Sequence, residues 1–231
     1  MCGRFALGVS RKRLEELIGA SVPAKYEPSW NVAPGAWIPA RTQKGCAMLL
    51  WGLVPYWIKD KVSGNRMGVR IMNARCETAF DKPAFREPMR RSRCLIPAEA
   101  FYEWQRRGRV KYPHAIAHAS GRLLWFAGIC DRWTDSGSGE VLRSCCILTT
   151  RANELMAPIH DRMPVIVREG YRDLWLDHSV TEADWFGRVF APLPAERLKV
   201  WPVSCGVNKI GLDGPELLKR VSGQPRQGSS L

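Results

Sequence analysis

The chain has 231 residues, 45% of them hydrophobic, with ten tryptophans; this excludes a disordered chain and is long enough to bury one sizeable core. Lys and Arg number 35 against 22 Asp and Glu, a formal charge of +13 that points to a polyanionic partner. No apolar run approaches the roughly 20 residues of a membrane-spanning helix, the early Arg4, Arg11, Lys12 and Arg13 are incompatible with an export signal, and eight cysteines without a C-x-x-C pair predict free thiols in a reducing cytoplasm, with neither a structural metal nor a cofactor.

In chain order, the first notable feature is MCGRF at 1–5. If Met1 is trimmed, Cys2 carries a free α-amine and a thiol on neighbouring carbons, a pair that no internal cysteine offers. Ser10 then caps a predicted helix with Leu14, Leu17 and Ile18 on one stripe and Gly19 near its end. The Pro-rich stretch 22–35 predicts an ordered loop. Apolar or alternating runs at 46–52, 69–74, 94–104, 114–119, 123–130, 141–150, 163–167 and 198–204 predict strands, and 168–176, 181–189 and 214–221 predict helices. Strands dominate without regular βαβ alternation, so the expected fold class is α+β, a single domain with antiparallel or mixed β-sheets and flanking helices over 1–220, followed by a frayed tail at 221–231. Between Arg86 and Lys111 eight basic residues face three acidic ones, a strong positive potential if they share a surface.

Four segments set polar groups inside apolar surroundings: CGRF at 2–5, NARCET at 73–78, FYEW at 101–104 and IHDRMP at 159–164. Glu103 stands between Tyr102 and Trp104, where partial desolvation raises a carboxyl pKa and suits it to proton exchange; a lone strand glutamate is otherwise exposed or salt-bridged. His160 belongs to a turn ahead of Pro164, where a structural role is the commoner one. The Asn73 amide, at the end of an apolar run, binds a substrate or caps a turn. Taken singly, none of these signals is specific.

Together they resemble a family. CGRF after Met1, WNVAPG at 30–35, WGLVPYW at 51–57, NARCET, FYEW and HDRMP occur in the order and approximate spacing of the SRAP family, the SOS-response-associated peptidase proteins, and the resemblance runs from residue 2 to about residue 218. It implies a barrel-like arrangement of the sheets and covalent capture of abasic sites in single-stranded DNA by the N-terminal cysteine, as part of the DNA damage response. By position, Cys2 matches the nucleophile, Glu103 the glutamate assisting proton transfer, His160 the histidine acting on the sugar hydroxyl or leaving phosphate, and Asn73 the asparagine orienting the reacting centre. Arg4, Arg75 and Arg162 match backbone-holding positions, Asn31 and Thr149 add neutral hydrogen bonds, and Pro34, Trp57 and Trp104 match positions that stack on or wedge against bases. The implied partner is single-stranded DNA containing abasic sites; no metal, cofactor or membrane is called for, a monomer is expected, and the location is cytoplasmic, on the nucleoid when DNA is bound. Autoproteolytic removal of Met1 is compatible with the same centre. Ala100, Trp30 and Leu212 depart from the residues usual at their positions. Two other readings use the same residues: a cysteine peptidase or amidohydrolase with His160 as base, and a non-covalent single-strand binding module.

Overall fold

The computed structural model describes residues 2–58 and 71–222, and every statement below concerns those residues. Strand β1 (Phe5–Leu7) is followed by helix α1 (Arg11–Ile18), whose cap matches the sequence: the Arg13 N–H donates to Ser10 Oγ at 3.3 Å, and Gly19, at φ 72°, donates to the Glu15 carbonyl. Then come β2 (Ser29–Val32), β3 (Trp37–Thr42), β4 (Gly45–Trp51), β5 (Asn73–Arg75), helix α2 (Pro83–Arg91), β6 (Arg93–Ala98), β7 (Ala100–Arg107), β8 (Val110–His118), β9 (Leu124–Thr134), β10 (Val141–Arg151), β11 (Arg162–Pro164), helices α3 (Arg172–Leu176) and α4 (Ala183–Phe190), and β12 (Leu198–Pro202).

The strands form two layers. Strands β10, β4, β3, β6 and β9 are hydrogen-bonded in that order, and β9 pairs back onto β10, closing a five-stranded barrel. The second layer is an open sheet in the order β12-β8-β7-β1-β2. Closure removes exposed edges from the barrel. At the seam, Phe5 of β1 packs 5.2 Å from Trp51 and 6.1 Å from Phe126, and Phe101 of β7 lies 6.0 Å from Phe126, so one apolar core joins the layers. The α+β class and the barrel-like sheets thus match expectation.

Four local expectations need correction. The run 94–104 is two strands in different layers, β6 and β7, with the chain crossing over at Glu99, whose carboxylate accepts the Gly8 N–H. The loop 22–35 contains β2, which exists because Phe5 and Leu7 pair with Val32 and Ser29. The helix predicted at 214–221 is only a 3₁₀ turn, Pro215–Leu218; Trp201 Nε1 takes the Leu218 carbonyl at 2.8 Å and Arg220 bridges to Val203. Helix α2, with Pro83 at its start, was not expected. Of the run 69–74 and the tail 221–231, residues 69–70 and 223–231 lie outside the described residues. Of the basic residues in 86–111, Arg93 does not reach the surface: it is buried, with its guanidinium donating to the carbonyls of Trp175, Met89 and Asp177.

Candidate active site

Strand β10, 11 residues long, builds half of the site by serving two partners on each edge. On one edge it pairs with β4 at Ser144 and Cys145 and then with β5, placing Asn73 opposite Ile147 and Arg75 opposite Thr149. On the other it pairs with β9 and then with β11, placing Arg162 opposite Arg151. The open sheet brings the other half. β1 and β7 pair Phe5 with Phe101, and the Tyr102 N–H donates to the Arg4 carbonyl at 2.9 Å, which brings the chain's start alongside the strand that carries Glu103.

These halves meet at Cys2. Asn73 Nδ2 donates to the Cys2 carbonyl at 2.9 Å, while Asn73 Oδ1 is buried with no hydrogen-bond partner among the described residues. The Cys2 thiol is wholly buried; burial pushes its pKa far above the ordinary thiol range and the Glu103 charge adds to the rise, so the sulfur is a neutral thiol. Glu103 is itself only 2% exposed, and burial raises its carboxyl pKa, opposed by the positive charges of the chain's amino terminus and of His160. Asn73, Cys2, Glu103 and His160 therefore lie together, with Cys2 and Glu103 buried and Asn73 and His160 half-buried. This group's position relative to the segment of Trp104 is fixed by Gln105 Nε2, which donates to the Pro158 carbonyl at 3.1 Å and so ties β7 to the loop bearing His160.

That loop is folded into turns by the buried Asn153, whose Oδ1 accepts the Met156 N–H at 2.9 Å and whose Nδ2 donates to the Leu193 carbonyl at 2.7 Å. His160 Nδ1 accepts the Arg162 N–H at 3.0 Å and lies 2.9 Å from Asp161 Oδ1. With Nδ1 accepting the Arg162 N–H, Nε2 is the ring nitrogen left to face a ligand.

The residues assigned to DNA contact divide into two groups. Arg75 is exposed, Trp57 is 41% exposed and packs edge-on against Tyr56 at 5.1 Å, and Trp104 is half-buried with Nε1 donating to Asn208 Oδ1 at 2.7 Å. Pro34 is half-buried and lines a cavity of about 250 Å³ with the exposed Trp37. The others already have protein partners. Arg162 makes a two-pronged bond to Glu77 (Nη1 to Oε1 at 2.6 Å, Nη2 to Oε2 at 2.8 Å) and donates to the Thr149 carbonyl, while Thr149 is itself buried. Arg4 Nη1 donates to Asn31 Oδ1 at 2.8 Å and to the Val207 carbonyl at 3.0 Å; Asn31 Nδ2 in turn reaches the Lys209 and Leu212 carbonyls. Leu212 thus contributes its backbone to this network, which its side chain does not enter.

Sequence reasoning did not single out Glu77, Asn153 or the segment 205–213 as supports. Glu77 lies within NARCET, but its partner Arg162 is 85 residues away, and only the β5-β10-β11 register brings the two together. Among the described residues no group of three or more His, Cys, Asp or Glu side chains could hold a metal ion, all eight cysteines are free, and no helix is long and apolar enough to cross a membrane.

Known proteins resemble this chain over almost its whole length. Residues 1–210 match the family model described as SOS response associated peptidase (SRAP). The chain is 38% identical over 227 residues to the abasic site processing protein YoqW of Bacillus subtilis, covering 95% of this chain and 99% of that one. It is 29% identical to the abasic site processing protein HMCES of Gallus gallus (98% and 80% covered) and 28% identical to YedK of Escherichia coli (96% and 100% covered). A solved protein from Bacteroides thetaiotaomicron shares the fold, with a TM-score of 0.89 at 24% identity over 96% of this chain and all of that one. With the family model spanning nearly the whole described chain and the fold shared as well, this protein is a member of the SOS response associated peptidase family.

Proposed function

We propose that this protein processes abasic sites in DNA, and that it does so by capturing them in single strands through a thiazolidine formed on Cys2 once Met1 is removed. Relatives named abasic site processing proteins, at up to 38% identity over almost the full chain, support the substrate class. The observation that carries the chemistry is the clamp at Cys2, its carbonyl held by Asn73 and its surroundings shared with Glu103 and His160.

The ring-opened abasic sugar presents an aldehyde. The free-base α-amine of Cys2, with a reference pKa of about 7.7–8.0, adds to it, and loss of water gives an imine. The thiol then adds to the imine carbon and its proton passes to the nitrogen, closing a five-membered ring. Glu103, whose raised pKa keeps it protonated above the ordinary carboxyl range, is suited to protonate the departing hydroxyl, and His160 Nε2 to donate to a sugar or phosphate oxygen. Asn73 fixes the backbone that presents both nucleophiles, and the thiol's proton passes to the imine nitrogen as the sulfur adds to the carbon.

Intact mass spectrometry before and after incubation with an abasic oligonucleotide tests this directly. The expected spectrum shows a chain lacking Met1 that gains the oligonucleotide mass less one water and withstands denaturation; in Cys2→Ser the stable adduct falls by about 100-fold or more, leaving an imine trapped only by reduction. Turnover of peptide substrates without any adduct would instead establish the hydrolase reading, and unchanged binding with no covalent product in either protein would establish a binding module.

A further inference from the structure

A second basic surface lies away from the Cys2 site, at the mouth of the barrel formed by the β3–β4 turn and the β9–β10 hairpin. Arg132 and Arg143 stand directly opposite each other across β9 and β10, both exposed, and like charges in that register repel. Neither has an ion-pair partner among the described residues, and the exposed Lys44 has none either. All three line a cavity of about 310 Å³ together with Arg91 and His178, in which Asp131 is the one acidic lining residue. The Asp131 carboxylate is engaged elsewhere: Oδ1 accepts the Arg132 N–H at 2.8 Å and Oδ2 the Tyr56 N–H at 3.1 Å. Burial raises its pKa, while these two backbone hydrogen bonds hold both of its oxygens.

The Tyr56 bond also gives this surface its direction. Tyr56 is 58% exposed and contacts Trp57 edge-on, so an exposed aromatic step leads onto the arginine pair. Along β10, Arg143 is six residues from Thr149, about 20 Å at strand rise, which corresponds to about six stacked nucleotides. We propose that Lys44, Arg91, Arg132 and Arg143 form a docking surface for the phosphodiester backbone of DNA flanking the captured nucleotide, reached by way of Tyr56 and Trp57. This inference rests on the DNA reading above, but it concerns non-covalent contacts remote from the nucleophile.

The test is the salt dependence of binding to undamaged strands of about 30 and about five nucleotides, followed by fluorescence anisotropy, with adduct formation on abasic versions of both. For Arg132→Ala/Arg143→Ala the slope of log affinity against log salt should fall by about 1.4 on the long strand, two phosphate contacts at roughly 0.7 each. On the short abasic strand, too short to reach the arginines from the captured nucleotide, the adduct rate should match the parent protein. Arg132→Lys/Arg143→Lys should restore the slope, and equal melting temperatures of parent and variants check the fold. A parent that binds the long strand with a slope the alanine variant leaves unchanged overturns this surface while the capture chemistry stands. A parent that forms adduct on neither strand but shows the slope difference overturns the capture chemistry and keeps the surface; a parent that binds no DNA overturns both.

Discussion

In the barrel, Cys94, Cys145, Cys146, Ile147 and Phe126 are fully buried, and its strand pairing closes on itself; in the open sheet, the same degree of burial falls on Glu103, which ionises only against a desolvation penalty, and on Cys2 at the chain's start. The barrel is therefore a frame whose strands pair all the way round, whereas the open sheet buries a carboxyl whose charged form is penalised by its surroundings. Asn73, standing on a barrel-borne strand and bonded to Cys2, joins the two.

The sharpest way to break this division is to remove what both layers share. Phe126→Ala deletes the ring that touches Phe5 and Phe101, and should cost about 3–5 kcal/mol of stability in urea titration with one cooperative transition. A loss below about 1 kcal/mol would mean that the layers do not rely on a common core. Asn31→Ala acts on one side only. It removes the acceptor for Arg4 and the donors to the Lys209 and Leu212 carbonyls, and should cost about 1–3 kcal/mol. Hydrogen exchange should accelerate across 205–213 while barrel amides hold their protection, and equal acceleration in β10 would contradict the separation.

The smallest effect is a pH slope. Because burial raises the Glu103 carboxyl, the native chain retains a proton that the unfolded chain releases at ordinary carboxyl values. The resulting stabilisation is complete below the unfolded pKa and is lost as pH rises through the raised folded value. In Glu103→Gln this slope disappears, so the variant should melt above the parent at neutral and alkaline pH, by about 2–4 °C per kcal/mol, with the gap closing in acid. Parallel melting curves across the range would show that Glu103 is not held in its protonated form.

What could be read in the sequence follows the range of the forces involved. The α1 cap was legible because Ser10 and Gly19 act on residues within one turn. The two layers were not, because 94–104 reads as one apolar run, and the switch at Glu99 depends on Gly8, 91 residues away. Helix α2 was hidden by two prolines and three arginines in nine residues, a pattern whose apolar face shows only against the barrel. At the site, the flanking tyrosine and tryptophan foretold the desolvation of Glu103, while the grouping of Cys2, Asn73, Glu103 and His160 came from resemblance to the family. The bond between Glu77 and Arg162 had no local signal at all.

Strand β10 has a further consequence for motion. Its two edges are occupied through its centre, by β4 and β5 on one side and β9 and β11 on the other, so Ile147 and Thr149, which face Asn73 and Arg75, are held from both sides. The platform under Asn73 can then open only in the same cooperative event that opens the barrel, the rarest fluctuation the molecule makes. Under the proposed function, adjustment to an incoming strand would fall to the peripheral loops, with the support of Asn73 in place before any ligand arrives.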